Sequence, residues 1–367
     1  MLWRVAGAGA GGWVGRGGWW WVGRRVGSGT RVKCGKFSVG RSPSPALIGG
    51  LKLMATAVSI GPRVATRPRG IRSGVFDAAD WATRELLDDL LTGDQKTTGA
   101  ASITASGARA LSKNATWLPA GRTCPGRSSV CYGADHLQCY AAVLERARPG
   151  LARAADRRLA IWDDAIAANR GQDLAFELLK YVWDRQLSRG ITRPTFRLHA
   201  SGDFYSAAYA SSWDIALRLA GSGLYQWVNH DHGPIPLTSW TYTRSYGSVA
   251  ADIAALLLDA EGAPAPGFTL YLSSDESMVA RTRNAVEGRY HRLPVAVMAD
   301  DADHGADLLR RIRGTDTRRT LVCPVDSGRM GHVVESRGET VGACYKCRAC
   351  LPVSGIDSAP DIIFPIH

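Results

Sequence analysis

The stretch Thr195-Phe196-Arg197-Leu198-His199-Ala200-Ser201-Gly202-Asp203 decides the fold. Thr195 to Ala200 is a short, mostly apolar run, and Ser-Gly-Asp ends it with turn chemistry, so it reads as a buried strand. A helical pattern follows around Ala207–Ala220, with Tyr209, Trp213, Ala216, Leu217 and Ala220 on one side and Gly221 as its stop. The unit then repeats. Strand patterns at Ser239–Thr243, Phe268–Ser273 and Pro294–Met298 alternate with helical patterns at Val249–Asp259, Met278–Val286 and Ala306–Ile312. A last strand pattern spans Thr320–Cys323. Upstream, helical patterns cover Leu151–Asn169 and Asp173–Leu187, a short strand lies near Asn114–Leu118, and Phe76–Leu91 reads as a first helix. Such alternation predicts parallel βαβ units joined by right-handed crossovers. The expected class is α/β, wound as a partial or full (β/α) barrel with cysteine-rich loops at its start and end; a doubly wound open sheet is the alternative. In either, the strands' carboxyl ends form the functional edge, where loops from Ser201, Arg244 and Ser274 converge.

Two groups of thiols flank this alternation. Cys124, Cys131 and Cys139 fall in the Gly-rich stretch Thr123–Ala141, with spacing Cys-x6-Cys-x7-Cys. Three thiolates on a four-iron cluster leave one iron open to an external ligand, whereas a structural zinc takes a closed set of four. His136, inside the same stretch, would complete such a zinc set. Downstream, Cys344-x2-Cys347-x2-Cys350 has Cys323-Pro324 as a distant fourth thiol, the arrangement of bacterial ferredoxin runs and equally of four-cysteine zinc knuckles. Grouped thiols in a chain without an export signal favour a metal or cluster over disulfides.

Composition narrows the class. The formal charge of +12 suggests a nucleic-acid partner, but residues 1–53 carry nine Lys or Arg and no Asp or Glu, leaving 36 basic against 33 acidic residues elsewhere. That segment also holds 14 of 41 glycines and five of 12 tryptophans without a helical or strand period, so it reads as a non-native or disordered extension, with translation expected to begin at Met54. Residues 54–113 read as a basic arm and N-terminal helix, 114–322 as the βα domain, and 323–367 as a four-cysteine module and tail. No apolar run reaches the length of a membrane span, so a cytoplasmic protein without a membrane partner is expected.

At the expected strand ends, Gly202 permits close backbone approach, Ser201 and Asp203 can hydrogen-bond a ligand amine or hydroxyl, and Arg244 can clamp a carboxylate or phosphate. Asp275 occupies the equivalent edge after a later strand. As alternatives, Asp203 would only cap the next helix, and Asp300, Asp301, Asp303 and His304 form an acidic run expected to be solvated.

From about Asn114 to Leu351 the chain resembles the phage gene product 88 family. The likeness lies in Leu118-Pro-Ala-Gly121, Thr123-Cys-Pro-Gly126, Cys139-Tyr-Ala141, Ser201-Gly-Asp-Phe204, Tyr242-Thr-Arg-Ser245 and Cys323-Pro324. The family name assigns no reaction. In feature order the chain is also similar to radical S-adenosylmethionine barrels, although their Cys-x3-Cys-x2-Cys spacing is absent. That likeness implies a cofactor site at Ser201, Gly202 and Asp203. The first expectation is therefore an iron–sulfur enzyme with one or two [4Fe–4S] clusters, zinc as the alternative at the C-terminal set, and S-adenosylmethionine on the open iron. Its substrate would be a small molecule or nucleic acid, and its electron donor a reductase or flavodoxin-type protein. The second is a zinc-stabilised nucleic-acid-binding protein without catalysis, its basic arm contacting phosphates.

Overall fold

The computed structural model describes residues 4–7, 10–13, 82–93, 102–103, 109–110, 113–128, 131, 139–189, 191, 193–221, 228–229, 233–234, 237–247, 250–314, 318–336, 339–351 and 359–365. The chain divides into two units, Met1–Pro62 and Arg63–His367. In the first, Arg4–Gly7 pairs antiparallel with Ala10–Trp13. The expected start at Met54, the basic arm to about residue 74, Cys34 and His136 lie outside the described residues.

The second unit is α/β, built on one eight-stranded sheet. Its elements begin with helix α1 (Arg84–Leu90), capped by Thr83, whose Oγ1 accepts the Leu86 N–H at 3.2 Å. Strands β1 (Leu91–Gly93) and β2 (Lys113–Trp117) follow, then helices α2 (Tyr140–Ala147), α3 (Pro149–Ala167) and α4 (Gly171–Leu187). Pro149 opens α3 where its missing N–H costs nothing. The alternation then runs β3 (Thr195–Ser201), α5 (Ala207–Gly221), β4 (Thr238–Thr243), a 3-10 segment (Ala250–Leu257), β5 (Phe268–Ser274), α6 (Val279–Glu287), β6 (Val295–Ala299) and α7 (Ala302–Arg313). Last come β7 (Thr320–Val322), the hairpin β8 (Val333–Ser336) and β9 (Glu339–Gly342), the short helix α8 (Ala343–Cys347) and strand β10 (Asp361–Pro365).

Across the sheet the order is β7-β10-β6-β5-β4-β3-β2-β1, with every pairing parallel except β1 with β2. From β2 to β6 each new strand adds on the same side of the last, so same-handed crossovers stack their helices on one face and wind the sheet as a barrel winds. The ladder ends at β7 and β1, and among the described residues no pairing joins those edges.

The helical face forms the main core. Phe196 and Leu198 of β3, Leu270 and Leu272 of β5, and Val295 and Val297 of β6 pack with Leu174 and Leu178 of α4, Trp213 of α5 and Leu308 of α7. The large side chains Trp162 and Tyr209 are fully buried in it. A second cluster, separate from that core, holds Tyr271, Ala296 and Ile362, with Tyr242, Leu321, Cys323, Cys350 and Phe364 packed against it. The two sets alternate along β5 and β6, as residues on opposite faces must.

Three expectations are corrected. The region expected as an α-helix at Val249–Asp259 is a 3-10 segment, because Asp252 stands at φ 55 and its Oδ1 accepts the Gly247 N–H at 2.8 Å. The strand ending near Cys323 is not the last: β10 follows it and inserts between β6 and β7. Within the expected helix Phe76–Leu91, the described part is Arg84–Leu90, and Leu91 already belongs to β1. No helix among the described residues is long and apolar enough to cross a membrane.

Candidate metal centres at two thiol sets

The first thiol set is carried by the connection after β2. Leu118 N–H donates to the Ser201 carbonyl at 3.1 Å, and Asp203 N–H donates to the Thr123 carbonyl at 3.0 Å, so this connection lies against the end of β3. Thr123 is itself tied back, its hydroxyl donating to the Pro119 carbonyl at 2.8 Å. From α2, Glu145 Oε1 accepts Trp117 Nε1 at 2.8 Å and the Ala120 N–H at 3.1 Å. Cys139 is the N-cap residue of α2.

Three strand ends grip this loop. Asp203, 4% exposed, accepts the Phe204 N–H and the Thr243 hydroxyl on Oδ1 and the Arg244 N–H on Oδ2, each at 2.7 Å. Arg244 reaches Ser128 Oγ and Asp275 Oδ2 with Nη1, both at 2.5 Å, and Ser128 Oγ also donates to Asp275. The other Asp275 oxygen accepts the N–H and hydroxyl of Ser277 at 3.0 and 2.6 Å. Ser128 Oγ in turn accepts the Cys131 N–H at 3.2 Å, so the network reaches a thiol residue. Arg281 Nη2 donates to the Gly126 carbonyl at 3.0 Å.

Electrostatics fit that enclosure. Burial, followed by the negative charge of Asp203 and of Cys139 and Cys131, pushes the Cys124 thiol up to about 12. Burial also raises the Asp203 carboxyl, outweighing its hydrogen bonds to Arg244, Thr243 and Phe204. Asp275 goes the other way: burial would raise it, but the Arg244 guanidinium and the Ser128 and Ser277 hydroxyls hold it below the ordinary carboxylate range.

The residues expected to bind a cofactor are therefore gathered at one edge. Asp203, Arg244 and Asp275 spend their polar atoms on the loop, on one another and on neighbouring protein groups. Gly202 stands at φ +83, and a side chain there would strike Thr123 and Leu118, so its close approach is to the protein's own loop. Ser201 differs: its Oγ is buried and has no hydrogen-bond partner among the described residues. Ser128, Thr123, Glu145 and Arg281 were not expected from the sequence. Ser128 lies in the quoted cysteine stretch, yet nothing local to it signals a partner 147 residues away.

Two of the second set, Cys323 and Cys350, pack against the second cluster. Cys323, Cys344, Cys347 and Cys350 line one cavity together with Trp240, Leu321, Val325 and Ile362. Cys323 is fixed by its N–H to the Ile363 carbonyl at 2.8 Å, just past β7. Cys344 and Cys347 belong to α8, and Arg348 at φ 55 turns the chain so that Cys350 comes back to the sheet. There Tyr242 O–H donates to Cys350 Sγ at 3.1 Å. Burial and the neighbouring Asp326 push the Cys323 thiol up to about 12. Burial takes Cys350 up to about 11, with the Tyr242 hydrogen bond opposing.

The seven cysteines of the two sets are free thiols. Four soft ligands around one cavity match the donor set of zinc or an iron–sulfur cluster. They are not drawn together as a ligand shell: among the described residues no three of His, Cys, Asp and Glu form a group that could hold an ion. Asp301, from the acidic run, caps α7 by accepting the His304 N–H at 2.8 Å.

Fold and site thus define an α/β protein with a three-thiol loop gripped by strand ends and a four-thiol module beside β7 and β10. A family model described as Gene product 88 matches residues 86–352, and the chain belongs to that family. Neither curated proteins nor solved structures give a match, so the likeness to radical S-adenosylmethionine barrels rests on the order of features alone.

Proposed function

We propose that this protein is an iron–sulfur enzyme. Cys124, Cys131 and Cys139 would hold a [4Fe–4S] cluster with one iron left for an external ligand, and Cys323, Cys344, Cys347 and Cys350 would hold a second, closed centre. The observation that carries this reading is the grip on the three-thiol loop. It follows the first parallel strand and is pinned by Asp203, Arg244 and Asp275, which stand at or just past the ends of the next three. Wound α/β sheets place their chemistry at that edge. When bound there, such a cluster supplies one-electron chemistry to a ligand on its open iron, S-adenosylmethionine in this reading. The protein's part is to orient that ligand, for which the buried Ser201 hydroxyl is available. A flavodoxin-type donor would deliver the electron.

The test is purification of the full chain without oxygen, with iron, sulfide and zinc measured beside the visible spectrum. A brown protein with iron and sulfide in equal amounts is expected; a colourless one with stoichiometric zinc overturns the reading. Adding S-adenosylmethionine and dithionite should yield 5′-deoxyadenosine. An intact cluster that yields none removes S-adenosylmethionine from the proposal.

A further inference from the structure

Tyr242, on β4, reaches a thiol of the C-terminal set with a polar hydrogen, by its 3.1 Å bond to Cys350 Sγ. Its ring is held from three sides. The Arg197 guanidinium lies 5.7 Å from the ring centroid, Tyr271 packs tilted at 5.2 Å, and Phe364 meets it edge-on at 5.4 Å. The phenol therefore keeps its aim on Cys350. A phenol is protonated at neutral pH, so it donates and the sulfur accepts. Tyr271 makes a natural comparison: it is fully buried in the same cluster, yet its hydroxyl has no hydrogen-bond partner among the described residues.

We infer that Tyr242 is a positioning residue of the C-terminal centre, fixing Cys350 and drawing electron density from its sulfur. This rests on the reading of the four cysteines as a metal–thiolate centre. A hydrogen bond to a ligand sulfur makes a cluster easier to reduce, and outer partners of a ligand also strengthen metal binding. Tyr242 also joins the two thiol sets mechanically, because the next two residues of the chain, Thr243 and Arg244, are those that hold Asp203 and, through Ser128, the loop of Cys131.

The experiment compares wild type, Tyr242→Phe and Tyr271→Phe as full chains loaded without oxygen. Circular dichroism and metal content are checked first. Reduction is then followed by electron paramagnetic resonance in a dithionite titration. In Tyr242→Phe one reduction step should shift about tenfold toward the oxidised form, about 59 mV for one electron, and no step should move in Tyr271→Phe. Unmoved steps in Tyr242→Phe, or equal shifts in both variants, overturn the inference. If metal analysis finds zinc in place of iron, the iron reading fails while this one is still read by chelator competition. Tyr242→Phe should then bind zinc about tenfold more weakly than Tyr271→Phe, and equal affinities overturn it. A wild-type chain that binds neither metal overturns both.

Discussion

The Asp203 carboxylate accepts the backbone N–H of Arg244 at 2.7 Å, joining the turn after β3 to the end of β4. Its other oxygen takes the Thr243 hydroxyl at the same distance, so a single buried side chain fixes the spacing of two strand ends. Replacing Asp203 by Ala strands buried donors on both. Each buried donor left unsatisfied costs about 1–3 kcal/mol, so a loss of about 3 kcal/mol in unfolding free energy is expected, seen as a lowered urea midpoint. Under the proposed function, metal content of the loop should fall as well, while that of the C-terminal set stays; a variant with unchanged stability and metal content contradicts the assignment.

Gly126 is buried where the loop crosses β4, and a Cβ placed on it would fall inside the Arg244 carbonyl. Backbone on both sides leaves no flexible side chain to give way. Gly126→Ala should therefore lift the loop off the sheet and release the Arg281 bond to its carbonyl. Limited proteolysis reads this out: new cleavage is expected between residues 118 and 139, with the rest of the domain still resistant.

What the sequence disclosed, and what it withheld, follows from the range of the interactions. The run Thr195–Ala200 and the face Tyr209, Trp213, Ala216 and Leu217 carry local periods, and they form β3 and α5 within a residue of their expected bounds. Asp203, Arg244 and Asp275 are legible as strand-end residues for the same reason. What they hold is not: Ser128 and Asp275 meet only after the intervening strands are in register. The segment Asp361-Ile-Ile-Phe-Pro looks like a tail, because five residues carry no period that says they enter the middle of a sheet. At Asp252 a side chain bonded to the backbone outweighs helix propensity, which a residue-by-residue reading does not see.

Arg313 and Asp361 form a bidentate pair at 2.8 and 3.0 Å, with side chains only 5% and 2% exposed, and Asp361 also accepts the Val295 N–H at 2.7 Å. This pair fastens β10 to α7 and β6. Asp361→Ala leaves a buried guanidinium uncompensated, for which about 3–5 kcal/mol is expected. Replacing both, as Asp361→Leu with Arg313→Met, should recover much of that loss. Thermal unfolding of the single and double variants decides it, and a double variant no better than the single one speaks against the pair.

His304 lies beside Glu276 at 3.2 Å and Asp300 at 3.3 Å. The Glu276 hydrogen bond, then the Asp300 charge, outweigh slight burial and raise its pKa above the ordinary histidine value. A raised folded pKa means the contribution is fully present below the unfolded value of about 6.5 and is lost as pH rises through the folded one. Nuclear magnetic resonance of the His304 ring should give a midpoint above about 6.5, and Glu276→Gln should move it down. A midpoint at or below the ordinary value contradicts the contact.

The insertion of β10 between β6 and β7 also governs the order of events during synthesis. Among the described residues β7 pairs with no strand but β10, and β10 supplies Ile362 to the wall of the four-thiol cavity. Domains fold as the ribosome delivers them, yet of this sheet's strands β10 is the last to be made. A nascent chain therefore presents Cys323, Cys344, Cys347 and Cys350 to the cell before the strand that walls them in exists. The closing of the sheet ends that exposure, and any metal the four thiols take under the proposed reading has its widest access before it.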